Sequence, residues 1–394
     1  MKNPVIISAV RTAGGKFGGG LSKLTAPELG TIAIKAAIER AGINGSDVDE
    51  VILGTGWQAG VGANPARIAM YTAGIPCSVS AFTVNIRCGS GLRTIMLAAD
   101  RIRLGDAKVI VAGGMESASN VPYLMPKARW GYRMGELKVF DALHKDGFLC
   151  PIAKKLMGET CEEIAAEYHI SRQEQDEFAL ASHQKAAAAT TSGLFKSEIV
   201  PVTVKDRKKG EVIVDVDEIF RSDTSIEQLG RLPTIYKKDG GTITAGSSSA
   251  LCDNSSIVIV ADSDWAMEHG VKPLAEILGY SAGALEAERF PLGPVIAMPK
   301  ALAKAGLKLA DMDLIEINEA FAAQVIACHR EMPFDMNKLN VHGGAIALGH
   351  PIGATGAKIT TTLINALAQQ GKELGIASAC IGGGQGVAMV IRRL

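Results

Sequence analysis

The chain has 394 residues, 47% of them hydrophobic, with lysine plus arginine and aspartate plus glutamate equal at 41 each. That length supports a large core in two or three domains, and the balanced charge, with no block of one sign, excludes a nucleic-acid or anionic-membrane surface as the organising feature. Seven single cysteines without a CxxC fit a reducing compartment, and the apolar run VIISAV before Arg11 is too short for a signal or membrane segment, so a soluble, cytoplasmic protein is expected.

In chain order, residues 4–10 (PVIISAV) read as a buried strand. Thr25 to Glu28 form a capping box ahead of the periodic Leu29, Ile32, Ala33, Ala36 and Ala37, and Gly42 ends that helix. Residues 51–54 (VILG) give the next strand. SAFTV leads into VNIRCGSGLRTIMLAADRIRLG, residues 84–105, where Leu92, Ile95, Met96, Ala99 and Ile102 recur at helical spacing. AKVIVAGG, residues 107–114, is a further strand. Alternation of this kind means an α/β layer, expected to hold a largely parallel sheet.

Between about 120 and 245 the rhythm changes. NVPYLMPKARWGYRMG has no clean period. Helical patterns at 158–168 and 172–190 then sit beside a strand pair around IVPVTV and EVIVDV, joined by the basic run 205–209, which reads as a solvated hairpin tip. Residues 256–261 (SIVIVA) return to a buried strand. Past residue 272 the first half repeats. Ala37–Ile43 parallels Ala301–Leu307 at an offset of 264 residues, and the turn at Gly91 with its helix, Gly105 and VIVAGG find counterparts at Gly356, Gly371 and GIASACIGG. The domains are therefore assigned as 1–119 with 246–271, an inserted segment 120–245, and 272–394. Two packed copies would bring equivalent helix N-termini face to face around one shared site.

Three residues there carry chemistry. Gly89, Ser90 and Gly91 allow a tight strand-to-helix turn, so Cys88 sits at a helix N-terminus, where unpaired N–H groups and the dipole favour an anion. A thiol so placed is expected to fall below its free pKa of about 8.5. His350 stands at the matching turn of the second copy, before the helix carrying Ile359, Thr362, Leu363, Ala366 and Leu367. Cys380 ends a strand before Gly382–Gly384, and strand ends beside glycine turns are where open α/β sheets place their sites. Each alone is compatible with a structural role; together, at related positions of duplicated halves, they argue for one site. GGGQG and GSG are weak signals for a phosphate cradle without GxGxxG or GK[ST].

VNIRCGSGL, GGMESAS (113–119), NEAFA (318–322), NVHGGAIALGHPIGATG (340–356) and CIGGGQG (380–386) resemble, in order and spacing across essentially the whole chain, the motif set of the thiolase family, above all its acetyl-transferring bacterial members. The resemblance implies a duplicated thiolase fold with an inserted α+β loop domain, a homotetramer built as a dimer of dimers, and no metal or cofactor, coenzyme A thioester being the substrate. It implies acetyl-CoA C-acetyltransferase activity, two acetyl-CoA giving acetoacetyl-CoA plus CoA in a reversible ping-pong reaction. The alternatives are a 3-ketoacyl-CoA thiolase of fatty-acid β-oxidation taking longer chains, and a non-catalytic acyl-CoA-binding relative.

Carried over by residue, Cys88 is the acylated nucleophile, His350 its activator and Cys380 the thiol that moves a proton to and from the α-carbon. The N–H groups of Cys88 and Gly382 form one oxyanion hole. His350 and a water held by Asn318 form the other, although Asn318 could instead cap the following helix. Arg221, Ser249, Leu156, Met157, Ala320 and Phe321 are the implied contacts to CoA and the acyl group. The pattern departs from the family at Leu156, where acetyl-specific members carry His, at Arg87, where Leu is common, and at His342 and Asn254, in place of Asn and Gly. His342 is expected to hydrogen-bond behind the site. Cys77, Cys150, Cys161, Cys252 and Cys328 are read as bystanders. An isobutyl group for an imidazole at 156 makes the acyl end more apolar, a change worth about 1–3 kcal/mol per methylene recognised.

Overall fold

The computed structural model describes residues 2–206, 208 and 210–394, so Arg207 and Lys209 of the basic run lie outside the described residues. The principal strands are β1 (Pro4–Thr12), β2 (Glu50–Gly54), β3 (Ser80–Val84), β4 (Val109–Ser117), β5 (Cys252–Asp262), β6 (Ala275–Ala284), β7 (Leu314–Ile317), β8 (Leu374–Ile381) and β9 (Gln385–Arg393). They join in the order β7-β8-β9-β6-β1-β5-β4-β2-β3. The principal helices are α1 (Ala26–Ala41), α2 (Pro65–Ala73), α3 (Ser90–Leu104), α4 (Met157–Glu167), α5 (Arg172–Thr191), α6 (Gly293–Ala305), α7 (Ala322–Glu331) and α8 (Thr355–Gln369).

The sheet is mixed rather than largely parallel. β2 pairs in parallel with β3 and β4, and β7 with β8, but the strands between them are antiparallel. The reason lies in the connections. β8 returns into β9 through the short turn at Gly382–Gly384, and β5 enters only after the long excursion that follows β4, so neither needs a helical crossover. β1 and β6 join the halves through just Val5↔Glu276 and Ile6↔Ala275.

The strands are apolar without a break because both faces are covered. In β5, Val258 and Val260 pack against α3 and α8, whereas Ile257, Ile259 and Ala261 pack with α1 and α2 on the opposite face. In the second half Met389 and Ile391 of β9 face α3 and α8, and Ala388 and Val390 face α6. The layers therefore run α1/α2, first half-sheet, α3/α8, second half-sheet, α6/α7. The duplication is visible at the helix ends: α1 and α6 stop at Gly42 and Gly306 with φ of 68° and 69°, a left-handed stop that glycine takes without cost. At the start of α1, the Glu28 carboxylate accepts the Thr25 N–H at 2.8 Å, as its spacing requires.

The excursion after β4 contains α4, α5 and the hairpin Val202–Asp206/Gly210–Val214. It is tied to the sheet by Arg11 of β1, fully buried, which donates to both carboxylate oxygens of Asp217 at 2.7 and 2.9 Å and to Glu198 at 2.6 Å. No helix among the described residues is long and apolar enough to cross a membrane.

Candidate active site

Helices α3 and α8 meet at their N-termini. A Cβ on Gly356 would stand 2.1 Å from the Leu92 nitrogen, an approach only glycine permits. This contact sets the turn before α3 against the loop before α8, so Cys88 and His350 face each other with Nε2 at 3.2 Å from Sγ. The turn carrying Cys88 is fixed by Ser90, whose hydroxyl accepts the Ile86 N–H at 2.9 Å and donates to the Arg87 carbonyl at 2.7 Å.

One hydroxyl settles which nitrogen of His350 bears the proton. Thr355 Oγ1 donates to the Pro351 carbonyl at 2.9 Å and lies 2.6 Å from His350 Nδ1. Its single proton being used, the hydroxyl must accept from Nδ1–H, which leaves Nε2 as a lone pair aimed at the Cys88 thiol. Burial, with Lys358 nearby, pushes His350 down to about 3, so the imidazole is neutral and free to act as a base.

The Cys88 thiol does not behave as its place before a helix suggests. Burial pushes it up, and the charge of Arg87 with the N–H groups of Gly382 and of Cys88 itself pulls it back only in part. At rest the pair is thiol and imidazole, not thiolate and imidazolium. The N–H groups of Gly382 and of Cys88 itself are both directed at the sulfur.

Cys380, buried at the end of β8, packs among Phe290, Leu292, Ala320 and Phe321, together with Cys161 and Cys328. Burial raises it well above an ordinary thiol, and the proximity of Cys88 raises it further. The N–H of Asn318 donates to Ser378 at 2.9 Å, two residues before Cys380. Its side-chain amide is buried with neither atom hydrogen-bonded to protein, which suits a polar group that holds a water or a ligand. It does not cap the next helix, which starts at Ala322 with Phe321 before it.

A cavity of about 880 Å³ lies beside these residues, lined by Lys16, His183, Arg221, Ser248, Ala250 and Ile346 among others. Ala250, on the cavity wall, accepts the backbone N–H of His350 at 2.9 Å. Arg221 lines it directly, its own N–H given to Nδ1 of the buried His183 at 3.2 Å. Ser249 falls between two lining residues and donates its N–H to Ala320 at 3.0 Å. Leu156, Met157, Ala320 and Phe321 lie outside it. Met157 packs on Gly382, where a Cβ would come within 2.9 Å of its sulfur, and Leu156 precedes it at the start of α4.

Two buried charged residues not singled out from sequence hold the His350 loop from both sides. Glu116 of β4 accepts the N–H groups of Gly56 at 2.7 Å, Gly353 at 2.8 Å and Trp57 at 3.3 Å, and burial pushes it up to about 7. Lys358 of α8 donates to Leu348 and Gly349. The available signal was an acid inside the apolar strand VIVAGGMES and a lysine inside the apolar helix AKITTTLI. The departures have local roles. Asn254 gives its amide to the Thr12 carbonyl at 2.7 Å, and His342 packs edge-on against Phe195 at 5.9 Å, a ring contact in place of the expected hydrogen bond. Among the described residues no group of three or more His, Cys, Asp or Glu is arranged to hold a metal.

With this geometry in hand, comparison with known proteins finds two family models. Residues 4–264 match the thiolase N-terminal domain and residues 271–393 the thiolase C-terminal domain. The chain is similar to acetyl-CoA acetyltransferases of Escherichia coli, at 51% identity over 395 aligned positions, and of Cupriavidus necator, at 46%, each alignment covering 100% of both chains. Among solved structures it is similar to the Bacillus anthracis acetyl-CoA acetyltransferase (TM-score 0.97, 44% identity) and to human mitochondrial 3-ketoacyl-CoA thiolase (TM-score 0.96, 40% identity). Each match covers 100% of this chain and 99% of the other.

Proposed function

The chain belongs to the thiolase family and is an acyltransferase, and from that premise we propose that it is an acetyl-CoA C-acetyltransferase that joins two acetyl-CoA into acetoacetyl-CoA plus CoA, reversibly and by a ping-pong course. The observation that carries the mechanism is the neutral His350 with its Nε2 lone pair 3.2 Å from the Cys88 sulfur.

His350 takes the thiol proton as Cys88 attacks the first thioester. The tetrahedral oxyanion rests on the N–H groups of Cys88 and Gly382. CoA leaves with the proton of Cys380, so the second half-reaction begins with acetyl-Cys88, a Cys380 thiolate and a protonated His350. Cys380 then removes the α-proton of the second acetyl-CoA. Nε2–H of His350 and a water on Asn318 stabilise the enolate oxygen. The enolate attacks acetyl-Cys88, the Cys88 thiolate leaves and recovers its proton from His350, and every proton is accounted for. Positioned acid–base help of this kind supplies about 10²–10⁴-fold, and a preorganised oxyanion donor about 3–4 kcal/mol. CoA thioesters enter as substrates rather than cofactors.

Residues 120–245 then act as an inserted loop domain that brings Arg221 and Leu156–Met157 to the CoA and acyl ends, between a first half (1–119 with 246–271) and a second (272–394). The quaternary reading is a homotetramer. It is supported by the open edge of β3 and by apolar side chains in water along 123–140, where Trp130 is 84% and Met134 97% exposed, the kind of surface that another subunit can cover. Native mass spectrometry counts the subunits. Seven free cysteines favour the cytoplasm. The longer-chain reading, a 3-ketoacyl-CoA thiolase of fatty-acid breakdown, is supported by the apolar Leu156. The ratio of kcat/KM for acetoacetyl-CoA to that for a C10 3-ketoacyl-CoA decides between them.

The test of the mechanism separates its two thiols. Cys88→Ala should lose all covalent label from radiolabelled acetyl-CoA, whereas Cys380→Ala should still be acylated, more slowly because CoA must then leave as its thiolate, yet fail to exchange the α-protons of acetyl-CoA. Full condensing activity in Cys380→Ala would overturn the assignment.

A further inference from the structure

Arg87, immediately before the nucleophile, holds a left-handed backbone with φ of 55°, a conformation a residue with a Cβ seldom keeps unless its surroundings require it. Here they do. Asn85 Oδ1 accepts the Arg87 N–H at 3.0 Å, and Ser90 holds its carbonyl. The side chain then runs from the Cys88 turn to Gly147 and Gly382. Its guanidinium donates to the Gly147 carbonyl, and its Nε packs over Gly382, 3.6 Å from where a Cβ would stand.

The group is half-buried, and among the described residues no carboxylate lies within 4.0 Å of it. A cation drawn out of water with only a carbonyl beside it calls for an anion. The anion this site generates is on the next residue. We propose that Arg87 is the counter-charge of the Cys88 thiolate, a positioning residue held across the nucleophile by Gly147 so that its charge stays by the sulfur instead of turning to solvent. The inference rests on the reading of Cys88 as the nucleophile.

The other groups facing the sulfur do not fill this place. Glu116 from β4 opposes a thiolate, Cys380 from β8 is another thiol, and His350, positive only while it holds the thiol proton, is neutral whenever that proton is lost to solvent, as it is during alkylation. The N–H groups of Gly382 and Cys88 are dipoles, which the acyl oxyanion claims during the reaction. The guanidinium remains charged through each step.

The test is the rate at which iodoacetamide modifies Cys88, followed by mass spectrometry of the Cys88 peptide from about pH 7 to about pH 11, where the raised thiol titrates. Arg87→Gln keeps a donor for Gly147 without charge, Arg87→Leu is a second uncharged variant, and Arg87→Lys keeps the charge. Expected is an upward shift of the titration midpoint by about one unit in the Gln and Leu variants, hence about tenfold slower modification at pH 7, with Lys close to wild type. Equal midpoints in all proteins would overturn the proposal. So would an equal shift in Gln and Lys, which would assign Arg87 to shaping the turn alone. Absence of acetyl label on wild-type Cys88 would refute the nucleophile itself, while the alkylation series would still score Arg87.

Discussion

Thr355 decides at one hydroxyl which nitrogen of His350 faces Cys88, and so whether the imidazole is set to act as the base proposed above. With its proton committed to Pro351, it accepts Nδ1–H and leaves Nε2 open to Cys88. Thr355→Val removes that acceptor and strands a buried N–H, so Nε2 is no longer held as the acceptor. A fall in kcat/KM of about 10²-fold is expected, within the range of positioned acid–base help. Thr355→Ser keeps the hydroxyl and should retain most of the activity. A structural role alone would lower thermal stability without moving the pH profile of acylation, whereas loss of the tautomer moves both. Sequence reading singled out Cys88, His350 and Cys380 as candidates because each is a reactive type set off by glycines at a turn. It could not find Thr355, whose spacing after His350 also reads as the first residue of a helix. Nor could it find Glu116, which acts on Gly353 across 237 residues of chain. It also placed the Cys88 thiol too low, because the pull of the turn was legible and the burial was not.

The decisive contact between elements is the crossing of α3 and α8. The amphipathic pattern of α3, the cap at Thr25 and the repeat of Gly42 at Gly306 were readable because each depends on neighbours a few residues away. The antiparallel middle of the sheet was not, because strand order depends on which long connection folds back where. Gly356→Ala tests the crossing, since the added methyl meets the Leu92 nitrogen, a backbone atom that cannot swing aside. The helices must separate, and overpacking of this kind costs about 1–3 kcal/mol. The expected result is a lower melting temperature together with a larger fall in the rate of Cys88 acylation, because the same displacement lengthens the 3.2 Å contact with His350. Acylation at the wild-type rate in a destabilised Gly356→Ala protein would show that the two turns are held by Glu116 and Lys358 rather than by the crossing.

Across the whole molecule, building a site between two layers means burying groups that titrate, and stability must follow pH accordingly. His350 is held down to about 3 and His183 to about 4 by burial, while Glu116 is pushed up to about 7. Between pH 6.5 and 4.5 the unfolded chain takes up protons on both histidines, and the folded chain takes one on Glu116. Of these three groups the unfolded state therefore binds one proton more, so together they lower stability as pH falls, by about 1.4 kcal/mol per pH unit, while the buried Glu316 and Glu319, also raised by burial, act in the opposite direction. His342, lowered by burial as well, acts in the same direction as the other two histidines. Near pH 7 the unfolded histidines still carry part of a proton each while Glu116 is half protonated in the folded chain, so the two nearly cancel and the contribution of these groups levels off at about pH 7. His183→Gln removes one proton from the unfolded side and should flatten the acid limb of a plot of melting temperature against pH, leaving the neutral limb unchanged. An acid limb as steep as wild type would mean that His183 is protonated in the folded protein. Its Nδ1 could then no longer accept the Arg221 N–H, and the cavity wall at Arg221 would have to be arranged differently.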